Sequence, residues 1–375
     1  MTAADGSRPR CLELFAGAGG AAIGLEAAGF DHAALCEWDA DACATLRAAG
    51  LGPVVEGDVR DLDAIEAVAG SGPLDLLWSS FPCQAFSTAG KRKGASDERN
   101  GWPWTADAID RFAPRWFMGE NVRGLLCHSS DGHPDPMRCP RCYLDAVILP
   151  QLRERFAHAG YWLLDAADYG VPQHRRRVIL WAGPRPLAAP QPTHADPAML
   201  SQASLFGPRL RPWVSMGEAL GLHGIQGSGL KGSEWATERP SPTLRNGNGT
   251  AGIYVVAAGE TGEGRPRPVD QAAPTIGTKG TAYLLDAPSR AVTCSEVKGS
   301  GANANPEKHQ RASDALFLAT GRRRLTVEEC AILQDFPPGH PFQGTKSARY
   351  RQVGNAVPPT LARVVGEQVS HADRS

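Results

Sequence analysis

Along the first half of the chain, short apolar runs alternate with stretches whose apolar positions recur at helical spacing. Cys11 to Phe15, Ala33 to Glu37, Leu74 to Ser79, Arg115 to Met118 and Val178 to Ala182 read as strands. Ala21 to Ala28, Ala40 to Ala48, Ala106 to Arg111 and Leu144 to Ala159 read as helices. Strand and helix in that rhythm predict an α/β fold, a doubly wound and mainly parallel sheet covered on both faces. Near residue 186 the texture changes: Pro184, Pro186, Pro190, Pro192 and Pro197 fall in a stretch that continues neither helix nor central strand, so a domain boundary is expected there. Residues 221–301 then hold 15 Gly in 81 positions, which predicts short strands and many tight loops, a smaller and mainly β domain over residues 187–321. Farther on, Thr326 to Gln334 has helical apolar spacing, with Thr326 as N-cap and Glu329 three residues later, and a last helix is expected from about Pro359 to Val369.

Composition narrows the setting. The 375 residues carry 39 Lys+Arg and 40 Asp+Glu, and the length supports a large core and two domains. Nine Cys are too sparse for a disulfide-built fold, no charged-then-apolar leader opens the chain, and no apolar run approaches the ~20 residues of a membrane span. The expectation is a reducing, cytoplasmic setting without a membrane. Charge is unevenly spread: residues 1–169 balance to −9 and residues 170–375 to +8, so the second half can face a polyanion.

The Gly-rich region also repeats itself. Pro240-Ser-Pro-Thr-Leu244 is echoed by Ala272-Ala-Pro-Thr-Ile276 and more faintly by Pro288-Ser-Arg-Ala-Val292, and each copy runs into a flexible segment holding a cation, Arg245, Lys279 or Lys298. Either a β module is duplicated for packing, or these loops present cations and backbone N–H groups to a phosphate backbone.

Leu12-Glu-Leu-Phe15 followed by Ala16-Gly-Ala-Gly-Gly20 is a strand ending in a glycine turn that opens a helix, where backbone can approach a ligand. Glu37 ends the second run 20 residues after Gly17, where a carboxylate accepts both hydroxyls of a ribose. Trp38 can stack on an adenine or serve as a core aromatic, and Asp58 can accept from an adenine amino group or simply form a turn. Phe81-Pro-Cys-Gln84 follows another strand, so Cys83 stands at a ligand-binding edge beside a basic loop that includes Ser87, Lys91 and Arg92.

Together with these, Glu120-Asn-Val122, Gln173-His-Arg-Arg-Arg177, Arg324-Leu-Thr through Leu333-Gln-Asp-Phe-Pro337 and Gly354-Asn-Ala-Val-Pro358 make six motifs in order over nearly the whole chain. The sequence resembles the DNA (cytosine-5) methyltransferases that depend on S-adenosylmethionine. The resemblance implies that Cys83 adds to carbon 6 of cytosine, that Glu120 protonates ring N3, and that Arg177 with Arg175 holds the cytosine oxygen. It implies a cofactor site of Phe15, Gly17, Gly19, Gly20, Glu37, Trp38, Asp58, Pro82 and Asn355. It also implies a flipped-out base, a closing loop bearing Ser87, Lys91 and Arg92, and a C-terminal segment, 322–375, that returns to the catalytic domain of residues 1–186. Gln173, Arg324, Gln334 and Phe336 are expected as structural supports.

One segment departs from the family core. Cys127, His133, Cys139 and Cys142 have the ligand types and spacing of a four-coordinate structural zinc site, with His133 preferred over His128 because His128 adjoins Cys127. A loop whose thiols merely cluster is the alternative. The expected partner is double-stranded DNA, read by the β region, with a cognate restriction endonuclease, where one exists, acting separately; the enzyme itself is expected to be a cytoplasmic monomer, nucleoid-associated if the host is bacterial. A transfer-RNA cytosine methyltransferase or a catalytically silent DNA-binding module would be the other readings.

Overall fold

The computed structural model describes residues 8–82, 100–127, 139–200, 210–220, 245–247, 250–252, 284–285, 322–323 and 325–373. From its start the chain alternates β1 (Arg10–Leu14), α1 (Gly20–Ala27), β2 (Asp31–Glu37), α2 (Ala40–Ala48), β3 (Val54–Glu56), α3 (Leu62–Ala69), β4 (Leu76–Ser79), α4 (Trp102–Phe112) and β5 (Trp116–Val122). α5 (Pro140–Tyr143) runs through a π turn, Leu144–Ile148, into α6 (Leu149–Arg155), where Pro150 has no N–H to give to the helical ladder. β6 (His158–Asp165) and β7 (Arg176–Gly183) complete a seven-stranded sheet in the order β3-β2-β1-β4-β5-β7-β6. β7 is antiparallel to both neighbours, whereas the pairs from β3 to β5 are parallel. The strand order turns back between β1 and β4, which opens a crevice at the carboxyl ends of the strands.

Alternate residues of β1 feed two cores. Leu12 and Leu14 pack with Ile65 of α3, Ile109 of α4 and Leu152 of α6. Cys11 packs on the other face with Leu25 of α1 and with Leu361 and Val365 of the last helix. That helix, α11 (Pro359–Ala372), starts on a proline whose missing N–H lies in the unpaired first turn. It lies so close to α1 that a Cβ on Gly24 would stand 2.2 Å from the Pro359 carbonyl oxygen, so the small residue sets the helix separation.

The later elements are short: β8 (His194–Ala195), α7 (Pro197–Leu200), β9 (Arg211–Pro212), α8 (Met216–Ala219), β10 (Arg245–Gly247), β11 (Thr250–Gly252), β12 (Leu284–Leu285), β13 (Arg322–Arg323), α9 (Val327–Leu333) and α10 (Lys346–Asn355). β10 and β11 form an antiparallel hairpin against α10. α9 has the expected capping box, with Glu329 N donating to Thr326 Oγ1 and Thr326 N donating to Glu329 Oε2. One expectation is corrected: the helix read from Leu144 to Ala159 ends at Arg155, and His158–Asp165 is a strand. Its eight residues pair one for one with β7, a partner that helical spacing in the preceding stretch does not reveal. Most of residues 187–321 lie outside the described residues. Among the described residues no helix is long and apolar enough to cross a membrane.

Candidate active site

Where β1 ends, the backbone enters the left-handed region at Phe15, Gly17 and Gly19, with φ of 59°, 56° and 86°. For Phe15 this conformation is strained, and such strain collects at ligand sites. The three glycines of the turn have different reasons to be glycine. A Cβ at Gly19 would strike Leu51 and Leu46, and one at Gly20 would stand 2.1 Å from the Val357 carbonyl oxygen. A Cβ at Gly17 would meet nothing within 4 Å, so this glycine faces open space.

Glu37, at the end of β2, is buried beside that turn. Its Oε2 accepts from Gly17 N at 2.8 Å, and its Oε1 accepts from Trp38 N at 2.9 Å and Asp39 N at 2.8 Å. A carboxylate has roughly four lone-pair directions, so capacity remains for a ligand hydroxyl. Burial pushes its pKa up, against the three backbone bonds that favour the anion. Trp38 is 81% exposed, which rules out the core-aromatic alternative. Asp58 follows β3 and is held by Arg60, whose side-chain and backbone hydrogen bonds lower its pKa. The Arg60 guanidinium lies 5.2 Å from the Trp104 ring centroid, and Trp104 in turn stacks on Phe15 at 6.5 Å. Phe15, Trp104, Arg60 and Asp58 therefore form one wall beside Glu37. Trp104 was not legible from the sequence, because next to Trp102 it reads as a further core aromatic.

At the ends of β4 and β5 a second group assembles. The Glu120 Oε1 and Arg177 Nε lie 2.6 Å apart, and both residues are buried. Asn121 Nδ2 donates to the Phe81 carbonyl at 3.0 Å, which ties the Glu120-Asn-Val122 strand to the turn entering Pro82. Gly101 N donates to the Pro82 carbonyl at 3.3 Å, so the chain leaves after Pro82 and returns at Asn100 in one place. Arg175 donates from its guanidinium to the Gly354 carbonyl at 3.1 Å. Burial and the like charge of Arg177 both disfavour the Arg175 cation, and Glu120 opposes them.

Gln173 Nε2 donates to the Leu333 carbonyl at 3.1 Å and to Gln334 Oε1 at 2.9 Å, and Gln334 donates to the Ala356 carbonyl. These bonds place the exposed Asn355 beside the segment that packs on Gly20. Cys83, Ser87, Lys91, Arg92, Lys279, Lys298 and His133 lie outside the described residues, and Arg245 is described only as a backbone position in β10. The zinc expectation is not supported. Cys139 and Cys142 hydrogen-bond through their thiols and Cys127 contacts the Arg123 carbonyl, but among the described residues no three His, Cys, Asp or Glu gather where they could hold a metal.

A family model described as C-5 cytosine-specific DNA methylase matches residues 9–204 and 243–371. The chain belongs to the C-5 cytosine-specific DNA methylase family. The methylase is 32% identical over 370 residues to the Type II methyltransferase M.NgoMIV of Neisseria gonorrhoeae, covering 96% of this chain and 97% of that protein. It is 31% identical over 369 residues to M.NaeI of Lentzea aerocolonigenes, covering 96% of this chain and 74% of that protein. The S. pombe Dnmt2 methyltransferase structure shares the fold, with a TM-score of 0.56 at 14% identity over 98% of this chain and all of that one. The methylase is thus an enzyme that transfers a methyl group from S-adenosylmethionine to carbon 5 of cytosine in DNA.

Proposed function

We propose that the methylase works through a covalent Cys83 adduct on a cytosine flipped out of a specific duplex sequence. The observation that carries this reading is the buried Glu120–Arg177 pair at the carboxyl edge of the sheet, tied through Asn121 to the turn that leads into Cys83. The Cys83 thiolate forms a bond to carbon 6, and the ring electrons move toward N3, where Glu120 in its protonated form supplies a proton that it takes back from N3 when the adduct collapses. Arg177 contacts Glu120 Oε1, and in this reading Oε2 is the oxygen offered to the base. The bound S-adenosylmethionine supplies an electrophilic methyl group on a sulfonium. Carbon 5, now enamine-like, takes that methyl; loss of the carbon 5 proton to a base or water then returns electrons that expel the Cys83 thiolate.

Glu37 is suited to the ribose, Trp38 and Asp58 to the adenine, and Phe15, Gly17 and Pro82 to the rest of the methyl donor. Arg175 acts by bracing Arg177 against the C-terminal segment. Residues 1–186 with 322–375 form the catalytic domain, and residues 187–321 read the target through loops that include Arg245, Lys279 and Lys298. The Type II names of the relatives support a separate cognate endonuclease, and a DNA substrate suits action in the cytoplasm, at the nucleoid if the host is bacterial. Bisulfite sequencing of DNA from expressing cells tests the reading and supplies the target site. Cys83→Ala is expected to lose at least about 10³-fold in rate while keeping cofactor affinity. Duplex carrying 5-fluorocytosine should trap wild-type protein as a denaturation-resistant adduct. Methylation at full rate by Cys83→Ala would remove the thiol from the mechanism.

A further inference from the structure

We propose that Arg123 and Arg176 form a phosphate clamp on the rim of the site, gripping the backbone of the DNA strand whose cytosine is methylated; this rests on the functional reading above. β5 and β7 pair antiparallel as far as Val122 opposite Arg177. Immediately beyond that pair stand Arg123, which leaves β5, and Arg176, which starts β7, and both are exposed. Arg123 opens the short 3-10 turn that follows β5, so two guanidinium groups stand on adjoining segments of one rim, and their summed positive charge favours an arriving anion.

Little counter-charge stands nearby. Arg176 Nε contacts Asp165 Oδ2 at 3.1 Å, but that carboxylate also meets His174 Nδ1 at 3.2 Å and accepts from Arg175 N at 2.9 Å. Asp168 on the following turn is taken by Trp213 Nε1 at 3.0 Å. Arg123 has no ion-pair partner among the described residues. Asp165 thus holds Arg176 in place without neutralising the rim.

The position fits a backbone contact better than a base contact. Glu120 lies three residues back from Arg123 along the chain, roughly 10 Å at strand spacing, farther than a base held at Glu120 and on the scale of its flanking phosphate. Val122, 46% exposed at the same rim, offers an apolar surface to a deoxyribose. Two guanidinium groups are suited to phosphate because each presents paired N–H donors to two oxygens.

The test is duplex binding by fluorescence anisotropy between 50 and 200 mM salt, with Arg123→Ala, Arg176→Ala and the double variant. Each lost phosphate contact should flatten the slope of log affinity against log salt by about 0.9, and the double variant by about 1.8. The loss should be the same on methylatable and unrelated duplexes, and Arg→Lys at both positions should restore most of the slope. Where an alanine variant fails to fold, Arg→Gln removes the charge and keeps the length. An unchanged slope in a folded double variant with intact cofactor binding would overturn the clamp, as would a loss confined to one sequence. Because binding is read without turnover, wild-type protein that binds steeply with salt yet leaves DNA unmethylated would sink the functional reading and leave the clamp standing.

Discussion

Glu120 and Glu13 are both buried carboxylates on the same sheet, and each faces a cationic partner from a neighbouring strand. Glu120 meets Arg177 at 2.6 Å near the carboxyl end of β5, where the strands stop. Glu13 sits within β1; its Oε2 lies 3.6 Å from His32 Nε2, and the other His32 nitrogen lies 3.6 Å from Oε1 of Glu26 on α1. Burial pushes the Glu13 carboxyl up, and burial likewise raises its neighbour Cys11. For His32 burial works downward, but Cys11, Glu13 and Glu26 overcome it and the net shift is upward. The same chemical pairing thus closes a helix–sheet interface in one place and opens to a ligand in the other. What separates them is distance from the strand end, which decides whether a third molecule can reach the pair. At the opposite sheet edge a cavity also lies by the strand ends, but there Arg155 and Arg115 are each paired with a carboxylate, Asp110 and Asp373.

The sharpest way to break this comparison is to make the same change at both sites. Glu120→Gln should lower turnover per folded molecule by about 10²–10⁴-fold, the range for removing the proposed general acid, and, because it leaves the buried Arg177 without its carboxylate, it should also lower the melting temperature. Glu13→Gln should lower stability alone, by about 3–5 kcal/mol through an unpaired buried partner, while turnover per folded molecule holds. Single-turnover rates with thermal melts on both variants decide it. A slow Glu13→Gln enzyme of normal stability would mean that the interior pair reaches the chemistry.

The sequence exposes the first site far better than the second. The glycine turn follows, and Glu37 ends, a largely apolar strand, so their place at the sheet edge is readable from local pattern, and the same pattern expects Cys83 at that edge, a position outside the described residues. Contacts between distant segments are not: Asn121 finds the Phe81 carbonyl 40 residues away, and His32 finds Glu13 only once β1 and β2 pair. The reversal of β7 is equally silent, since strand direction leaves no mark on periodicity. α10 escaped because its buried positions, Ala348, Tyr350, Gln352 and Val353, include a polar residue and lack a strong apolar stripe. Gln352 is buried because it donates to the Gln343 carbonyl and bonds Thr45 through Oε1, partners that no local window contains.

The glycines sharpen the comparison next. Gly20→Ala must displace the Val357 carbonyl, so a loss of about 1–3 kcal/mol is expected in urea denaturation. Gly17→Ala meets no atom and bears only the left-handed strain, about 1–2 kcal/mol, but its methyl enters the open space by Glu37 and should raise the KM for the methyl donor. Equal KM values for the two variants would place the cofactor elsewhere. A gentler probe of the interior cluster is pH. A raised folded-state pKa for His32 contributes stability that is complete below the ordinary value near 6.5 and is lost as pH rises toward the folded value. Wild-type stability should therefore fall by up to about 1.4 kcal/mol per pH unit above 6.5, and His32→Gln should flatten that slope. A slope identical in both proteins would show that His32 does not take up its proton on folding.

The smallest effect belongs to Trp38, and it isolates binding from folding. An indole 81% exposed makes almost no contribution to the core, so Trp38→Ala should change stability by less than about 0.5 kcal/mol. Its backbone N–H, which holds Glu37 Oε1, survives the substitution, so the carboxylate keeps its orientation. What is lost is a ring free to stack on the adenine, a contact of about 0.5–1.5 kcal/mol, or roughly a 2- to 13-fold rise in Kd. Isothermal titration with S-adenosylmethionine measures that rise directly, and Trp38→Phe should recover most of it because the stacking face remains. An unchanged Kd in Trp38→Ala would mean that the adenine leans on the Phe15–Trp104 wall instead, and the same titration on Trp104→Ala would then show the larger loss.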